Sequence, residues 1–388
     1  MTGVPERQVI ISGVGRSAVG RRLGRESLDL TLDACLAAIA DAGLAPSDID
    51  GLTTWPDIKG ELGGFVGPSV AQMQQLLRLD LSWHLGAVDG GNVLGVLAEA
   101  ALAVSARLAR HVLVYRTLTE ASAHGARKPR AVLANSGDPW LVTYGVGSTV
   151  QFAAMWAQHH FHTYGTTREQ LAWVALNGRR HAALNPDAIF AEPLTIDDYL
   201  RARMISEPLG LFDCDIPSDG AHALVVSHRD FRRDTDAPVF LEAMGVARPR
   251  TSSWAFWPDL DEMAADGCAE QLWSRTTLGP SDVDVAGLYD GFSIFTLLWL
   301  EALGFCGRGE SGAFVEGGER TGLTGILPLN TSGGQLSEGR YVGFGFVHEM
   351  CQQLRHRAGG RQVVGAEVGL VAVGGGPLAQ AFLLTNRS

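Results

Sequence analysis

Apolar and polar positions along the chain follow two alternating patterns. The run from Gln8 to Gly15 is short and mostly apolar, which predicts a strand that ends in a glycine turn. Beyond Ser27 the apolar residues recur three or four positions apart as far as Gly43, which predicts an amphipathic helix. Further helices are predicted over about 91–109, 151–162, 167–183, 259–275 and 345–357, and further strands over 111–115 and 368–373. Strands that alternate with helices of this length predict an α/β protein.

Two short stretches of the sequence form a weak internal repeat. Residues 46–52 (Pro-Ser-Asp-Ile-Asp-Gly-Leu) follow the first helix, and residues 280–288 (Pro-Ser-Asp-Val-Asp-Val-Ala-Gly-Leu) follow the helix predicted over 259–275. A chance match is the alternative, but a duplication predicts two similar halves about a pseudo-twofold axis. We expect the first half at 1–238, with a loop-rich insertion at 116–215, and the second half at 239–388.

Composition narrows the class of partner. The 388 residues are 46% hydrophobic, which is enough for a large core, and 31 Lys+Arg against 42 Asp+Glu give a net charge of −11. Nucleic acid is therefore not expected as a general partner.

The apolar runs are shorter than the roughly 20 residues that cross a bilayer, so we expect no membrane insertion and a cytoplasmic location. The five cysteines are widely spaced without a CxxC pair, and neither a metal nor a separate cofactor is expected.

Several separated motifs resemble the lipid-transfer (sterol carrier) branch of the thiolase superfamily, and they occur in the same order. They are Tyr164-Gly165-Thr166-Thr167 followed by Asn177 and Asn185-Pro186, Pro208-Leu209 with Asp213-Cys214 and Ser218-Asp219-Gly220-Ala221, and the stretch 327–334 (Leu-Pro-Leu-Asn-Thr-Ser-Gly-Gly). The resemblance implies a thiolase fold, in which duplicated βαβαβαββ halves form a five-layered αβαβα arrangement with an inserted loop domain.

The positions that carry thiolase chemistry are altered in this sequence. Thiolases use a nucleophilic cysteine, a histidine that activates it and a second acid or base. Asp89 lies at or near the place of the cysteine, and a carboxylate is a weak nucleophile. Tyr289 stands where the family has a histidine, and Tyr341 lies at or beside a second catalytic histidine. Val373 replaces the second cysteine of biosynthetic thiolases, so condensation or thiolysis through a cysteine is not expected.

A site that polarises a thioester and offers two phenols is suited to aldol cleavage of a β-hydroxyacyl-CoA. A base removes the hydroxyl proton, the carbon–carbon bond breaks to give a ketone and a thioester enolate, and an acid protonates the enolate carbon. The pattern resembles the thiolase-like aldolases of bacterial steroid side-chain degradation. That resemblance implies cleavage of a 17-hydroxy steroid with a three-carbon CoA thioester side chain to a 17-ketosteroid and propionyl-CoA. CoA is then part of the substrate; the alternative is a non-catalytic acyl-CoA or lipid-binding subunit.

The same resemblance implies two protein partners. One is a small OB-fold protein of a family long classed as a domain of unknown function, which these aldolases need for stability and activity. The other is a second copy of the chain, since thiolase folds generally form homodimers. Together they would give a heterotetramer.

Eleven residues are candidates for the site. Tyr289, Tyr341 and Asp290 are the predicted catalytic residues, although Asp290 could instead cap a helix. The phenol that acts as base needs a nearby positive charge, and the neighbouring Arg340 favours Tyr341 as base and Tyr289 as acid; the sequence leaves this order open. The predicted substrate or oxyanion contacts are Asp89, Gly90, Asn330, Arg340, His348, Gly374, Gly375 and Gly376. Three of these residues have a purely structural role as the alternative. Asp89 would accept hydrogen bonds within a tight turn, Asn330 would hold its loop in place, and His348 would be a histidine of the core or the surface.

Overall fold

The computed structural model of the chain describes residues 4–58, 63–87, 94–123, 141, 144–232, 237–249, 254 and 259–387. Its strands are β1 (Val9–Arg16), β2 (Gly51–Thr54), β3 (Trp83–Gly86), β4 (His111–Thr119), β5 (Met204–Ser206), β6 (Leu209–Gly210), β7 (Asp219–His228), β8 (Val239–Ala247), β9 (Val285–Leu288), β10 (Val368–Gly374) and β11 (Ala379–Thr385). Its α-helices are α1 (Ser27–Asp41), α2 (Val70–Leu77), α3 (Gly95–Ser105), α4 (Glu120–Ala123), α5 (Thr149–Tyr164), α6 (Arg168–Ala182), α7 (Ile196–Arg201), α8 (Ala264–Trp273), α9 (Ser293–Ala302), α10 (Ser311–Val315), α11 (Gly334–Ser337) and α12 (Phe344–Leu354).

Nine strands form one mixed sheet in the order β3-β2-β4-β7-β1-β8-β11-β10-β9. β1 and β8 pair antiparallel at the centre, and the order of strands on one side mirrors the order on the other. β7 and β11 are antiparallel to both of their neighbours, whereas β2 and β9 are parallel to β4 and β10. A parallel bridge between Ala286 and Leu329 occupies the place beside β9 that β3 occupies beside β2. This mirrored order confirms the predicted duplicated α/β fold.

The repeated sequence stretches occupy equivalent places in the two halves. Pro46–Asp48 and Pro280–Asp282 each form one turn of 3-10 helix, which begins with the proline and leads into β2 or β9. The carboxylate of Asp48 accepts the N–H of Ala45 at 2.8 Å, and that of Asp282 accepts the N–H of Gly279 at 2.8 Å. In both copies of the motif, the aspartate side chain therefore caps the start of the 3-10 turn in the same way.

The two faces of the sheet pack against different layers of helices. On β4, Val112 and Val114 belong to a core that also contains α3 and α12, whereas Leu113 and Tyr115 belong to a core that contains α1 and α2. The strands of the second half share the α3–α12 core and pack their other face against α5, α6, α8 and α9. Helices α3 and α12 are thus the middle layer of a five-layered αβαβα arrangement, as the resemblance implied.

The insertion between β4 and β7 contributes helices that border the site. Thr167 accepts the N–H of Gln170 through its hydroxyl at 3.2 Å, and the Gln170 side chain accepts the N–H of Thr167 at 3.2 Å, so Thr167 is the N-cap of α6. Residues 124–140, within the loop-rich part of this insertion, lie outside the described residues. Among the helices that are described, none combines the length and apolar character needed to cross a membrane.

Candidate active site

Three of the sequence motifs meet beyond the end of β9. The main-chain N–H of Asp215 donates to the carbonyl of Gly291 at 3.0 Å, which joins the 213–218 motif to the loop of Tyr289. The N–H of Ile216 donates to Gln335 at 3.2 Å, and the N–H of Arg340 donates to Ile216 at 3.1 Å. The fold therefore brings Tyr289, Asp290, Arg340 and Tyr341 to one region, as the sequence predicts.

Tyr289 directly follows β9, and its N–H donates to the carbonyl of Ala372 on β10 at 2.9 Å. Its ring folds over Gly291, where an added Cβ would lie 2.5 Å from the phenol oxygen, so only glycine leaves room for this side chain. Burial raises the pKa of Tyr289, and the Asp215 carboxylate raises it further, while Arg340 opposes both. A hydrogen bond with the Gln335 side chain also lowers the pKa of Tyr289.

Arg340 extends away from the phenol of its neighbour Tyr341. Its guanidinium lies 3.3 Å from a carboxylate oxygen of Asp215 and 3.5 Å from one of Glu120. Burial alone would lower the pKa of Arg340, but the two carboxylates outweigh this effect and raise it. Burial raises the pKa of Asp215 to about 6, against the opposing effect of Arg340. The positive charge of Arg340 therefore lies on the side of the site that contains Tyr289.

Tyr341 precedes α12 and is 2% exposed. Glycines make space for its ring, since an added Cβ would lie 3.1 Å from Cε1 at Gly220 and 3.1 Å from the hydroxyl at Gly339. Burial raises the pKa of Tyr341 and the carboxylate of Glu338 raises it further, while a hydrogen bond with the Ser218 side chain and the charge of Arg16 lower it. Tyr341 is thus a buried phenol whose hydroxyl lies beside the side chain of Ser218.

Asp290 is buried and lies at the start of α11. One carboxylate oxygen accepts the N–H of Gln335 at 2.9 Å, and the other lies 3.5 Å from the N–H of Leu336. Burial raises the pKa of Asp290 to about 7, although these donors partly oppose it. At Gly334 an added Cβ would lie 2.0 Å from Asp290, so glycine is required there. The geometry is that of a capping carboxylate, which was the alternative left open by the sequence.

Asn330 is bound to the backbone of β9. Its side-chain oxygen accepts the N–H of Leu288 at 2.8 Å, and its side-chain nitrogen donates to the carbonyl of Leu288 at 3.0 Å. Its own N–H donates to Ala286 at 2.9 Å. The amide therefore supports the loop that leads to α11, and a direct contact of Asn330 with substrate stays a prediction.

The glycine triplet forms the tight turn between β10 and β11. Gly374 and Gly375 have φ values of +82° and +129°, which favour glycine. The N–H of Gly375 donates to Leu378 at 2.8 Å, and the carbonyl of Gly374 accepts the indole N–H of Trp299 at 3.0 Å. At Gly376 an added Cβ would lie 2.5 Å from the ring of Trp254. Because the N–H of Gly375 is already used within the turn, an oxyanion contact from this triplet stays a prediction for its other N–H groups.

Two predicted residues, Asp89 and Gly90, lie outside the described residues. His348 lies on α12, and its ring is 5.5 Å from that of His222, centroid to centroid. Sequence reasoning missed His222, whose ring lies 4.6 Å from that of Tyr341. The available signal was a polar residue within the apolar strand that follows Ser218-Asp219-Gly220-Ala221.

Comparisons with known proteins identify the family of this chain. A family model described as Thiolase C-terminal domain-like matches residues 247–385. The steroid side-chain-cleaving aldolase of Thermomonospora curvata is 35% identical over 360 residues, covering 89% of this chain and 90% of that protein. The 17-hydroxy-3-oxo-4-pregnene-20-carboxyl-CoA lyase of Mycobacterium tuberculosis is 35% identical over 390 residues, covering 97% and 99%. A solved structure described as Ltp2-ChsH2(DUF35) aldolase superposes with a TM-score of 0.87 at 33% identity and covers all of both chains.

The chain therefore belongs to the thiolase superfamily, within the branch of the thiolase-like steroid side-chain-cleaving aldolases. It is a carbon–carbon lyase of thiolase fold.

Proposed function

We propose that this enzyme cleaves a 17-hydroxy steroid bearing a three-carbon CoA thioester side chain to a 17-ketosteroid and propionyl-CoA. The proposal is carried by two phenols in one region of the fold, the half-buried Tyr289 and the buried Tyr341, which the resemblance places where thiolases have catalytic histidines. The two near-full-length relatives support it, because the name of one describes a steroid side-chain aldolase and that of the other a lyase of a 17-hydroxy steroid CoA thioester.

The roles of the two phenols follow from the charges around them. A phenol that acts as base must lose its proton, and a nearby cation favours this. Arg340 lowers the pKa of Tyr289, whereas the cation that lowers the pKa of Tyr341 is Arg16 and not the adjacent Arg340. By the criterion applied to the sequence, this placement favours Tyr289 as base and Tyr341 as acid, the reverse of the order expected from adjacency alone.

The reaction then proceeds in three balanced steps. The ionised Tyr289 takes the proton of the 17-hydroxyl group, and the alkoxide collapses to the ketone. The electrons of the broken carbon–carbon bond pass to the carbon next to the thioester, which gives an enolate. Tyr341 then gives its proton to that carbon and propionyl-CoA is released. Arg340 stabilises the ionised Tyr289, while Asp290 and Asn330 keep the loops in position.

We propose an OB-fold protein as the partner of this chain. The similar solved structure is described as a complex with a DUF35 component, and it covers this chain over its whole length. Co-expression of the two chains followed by affinity purification tests this directly: the expected result is a stable complex, and a partner that never co-purifies contradicts it.

A second copy of the chain is the other proposed partner. β3 lies at the end of the nine-stranded sheet and pairs only with β2 among the described strands, so its outer edge offers unpaired backbone groups. Pairing with β3 of another copy would satisfy them. Light scattering should then give the mass of two copies for the chain alone, and four chains when the OB-fold partner is present.

Product analysis tests the activity. The purified complex is mixed with the steroid CoA thioester, and the products are identified by mass spectrometry. Propionyl-CoA together with the 17-ketone is the expected result. An intact thioester that still binds to folded protein would instead support the non-catalytic alternative.

A further inference from the structure

Arg116 is a buried cation that has no role in the reaction steps proposed so far. It is 2% exposed and lies on β4, two residues beyond Val114 and four beyond Val112. Alternate residues of a strand share one face, and both valines belong to the core that contains α3 and α12. Tyr341 belongs to the same core. Arg116 therefore lies in the layer of the fold that holds the proposed acid.

The guanidinium of Arg116 has two donors without a partner. Its Nη1 donates to the carbonyl of Thr117 at 3.0 Å. Its Nε and Nη2 are buried and have no hydrogen-bond partner among the residues that the structure describes. These two nitrogens share one edge of the planar group, the edge that typically binds an oxyanion. A buried cation with an unpaired edge is unfavourable unless an anionic oxygen pairs with it.

Aromatic rings surround the guanidinium and leave that edge available. Cζ of Arg116 lies 4.5 Å from the centre of the Phe65 ring and 5.2 Å from that of Trp55. The two rings meet edge to face, with their centres 5.5 Å apart. Phe65 also contacts Arg340, whose Cζ lies 5.6 Å from the centre of the ring. Aromatic rings attract a cation without using its N–H groups, so the rings hold Arg116 in place and its donors stay free.

Arg116 neighbours residues on both sides of the active site. Arg340, which shares the Phe65 ring with it, is the cation that acts on Tyr289. His222 on β7 is the cross-strand partner of Arg116, and its ring lies 4.6 Å from that of Tyr341, centroid to centroid. Paired residues of neighbouring strands project to the same face of a sheet. A substrate that reaches both phenols would therefore place its thioester near Arg116.

The charge of Arg116 is not neutralised by a contact with a carboxylate in the described part of the chain. Burial lowers its pKa to about 9, while Glu120 opposes this effect and Arg340 adds to it, so Arg116 is protonated at neutral pH. The carboxylate of Glu120 lies 3.5 Å from the guanidinium of Arg340, which also contacts Asp215 at 3.3 Å. Arg340 thus faces two carboxylates, whereas Arg116 retains its charge for an anion that forms in the site.

We infer that Arg116 donates from Nε and Nη2 to the thioester oxygen of the substrate and stabilises the negative charge that this oxygen gains during cleavage. This inference rests on the proposed function. As the carbon–carbon bond breaks, its electron pair forms the double bond of the enolate, and a pair of the thioester carbonyl moves to the oxygen. When Tyr341 protonates the carbon next to the thioester, the carbonyl forms again. Arg116 neither gains nor loses a proton in these steps.

Arg116→Met tests this role in the complex with the OB-fold partner, because methionine keeps an apolar stem and has no donor. The kcat for cleavage should fall by a factor of about 10²–10³, as expected when an oxyanion loses its donor, and KM should change far less. Infrared spectroscopy of bound propionyl-CoA, labelled with carbon-13 at the thioester carbon, measures the contact itself. The carbonyl band should lie at a higher frequency in Arg116→Met than in wild type, because a hydrogen bond from a cation weakens the carbonyl bond.

Arg229→Met is the matched control. The guanidinium of Arg229 also lies near an aromatic ring, 5.6 Å from the centre of Phe240, and its Nη1 also donates to a main-chain carbonyl, that of Arg7, at 3.3 Å. Arg229 directly follows β7 at the end of that strand remote from the site. Its variant should have the wild-type kcat and the wild-type carbonyl band.

Two results with Arg116→Met would overturn the inference. One is a kcat close to that of wild type. The other is a large fall in kcat with an unchanged carbonyl band, which would give Arg116 a structural role. If the methionine variant does not fold, Arg116→Lys keeps the charge without the two-donor edge, so its kcat should fall about tenfold, and a wild-type kcat and band would contradict the inference. A wild-type complex that forms no product would instead refute the proposed function, and the inference with it.

Discussion

Gln335 joins the loops of the two tyrosines through its contacts with Asp290 and Val342. Its main-chain N–H donates to the carboxylate of Asp290 at 2.9 Å, and its side-chain oxygen accepts the N–H of Val342 at 3.0 Å. Asp290 directly follows Tyr289, and Val342 directly follows Tyr341. The relative placement of the two phenols therefore depends on one buried glutamine.

Gln335→Ala should loosen this link. The N–H of Val342 would lose its acceptor in a buried place, so the free energy of unfolding should fall by about 1–3 kcal/mol. The kcat should fall while KM changes little, because the phenols shift relative to each other. Urea unfolding and steady-state kinetics measure both effects. Gln271→Ala removes a similar bond at an exposed position, to the N–H of Val246, and should change stability by less than about 0.5 kcal/mol.

Tyr289→Phe and Tyr341→Phe should each lower the cleavage rate by a factor of about 10² or more, because each removes one proton-transfer group. The fold and the binding of the thioester should be retained, since only one hydroxyl is lost. Tyr144→Phe, at a site that is 85% exposed, is the control and should have wild-type activity. Wild-type turnover in both test variants would contradict the assigned roles.

The pH dependence of kcat/KM should follow the ionisation of the catalytic base, Tyr289. Burial raises the pKa of Tyr289 above its ordinary value near ~10, so only a small fraction is ionised at neutral pH. We expect kcat/KM to rise about tenfold per pH unit from pH 7 to 9 without a plateau. A plateau below pH 8 would point to a different base.

Arg340 should determine the pH range over which kcat/KM rises. Arg340→Gln removes the cation that lowers the pKa of Tyr289, so kcat/KM at pH 8 should fall by about tenfold or more and recover partly at higher pH. Arg340→Lys keeps the charge and should stay near the wild-type profile. If both variants behave alike, the charge of Arg340 does not tune the base.

Glu338→Gln should stabilise the protein, but only above a certain pH. Burial raises the pKa of Glu338 to about 7, above its unfolded value near ~4.3, so ionisation in the folded state costs stability as the pH rises from about 4 to 7. The variant avoids this cost. Its unfolding free energy should exceed that of wild type by about 1–3 kcal/mol at pH 8, with no difference at pH 4. Urea unfolding at both values measures the difference, and an equal effect at both would contradict the assignment.

Local signals predicted much of the fold. The helix after Ser27, the helix predicted over 167–183 and the repeated Pro-Ser-Asp turns depend on neighbours within four residues, and the structure has each of them. The mirrored sheet follows from the duplication, which the sequence showed only over a few residues. What local signals could not give is the pairing of β1 with β8, which joins residues more than 200 positions apart.

The site was predicted less completely, because side-chain direction depends on long-range packing. Arg340 and Tyr341 are adjacent in sequence, yet Arg340 reaches Asp215 and Glu120 while Tyr341 turns into the middle layer. The sequence did not predict that the amide of Asn330 bonds to both backbone groups of Leu288. The contacts of His222 with Tyr341 and His348 form only when β7 and α12 pack together, so the local sequence does not predict them.

Cleavage in D2O tests the central claim most directly. If the carbon–carbon bond breaks to a thioester enolate that an exchangeable acid then protonates, the propionyl-CoA formed should carry one deuterium on the carbon next to the thioester. Mass spectrometry of that product, with the 17-ketone measured in the same sample, gives the answer. Propionyl-CoA without deuterium at that carbon, or the absence of propionyl-CoA, would contradict the account.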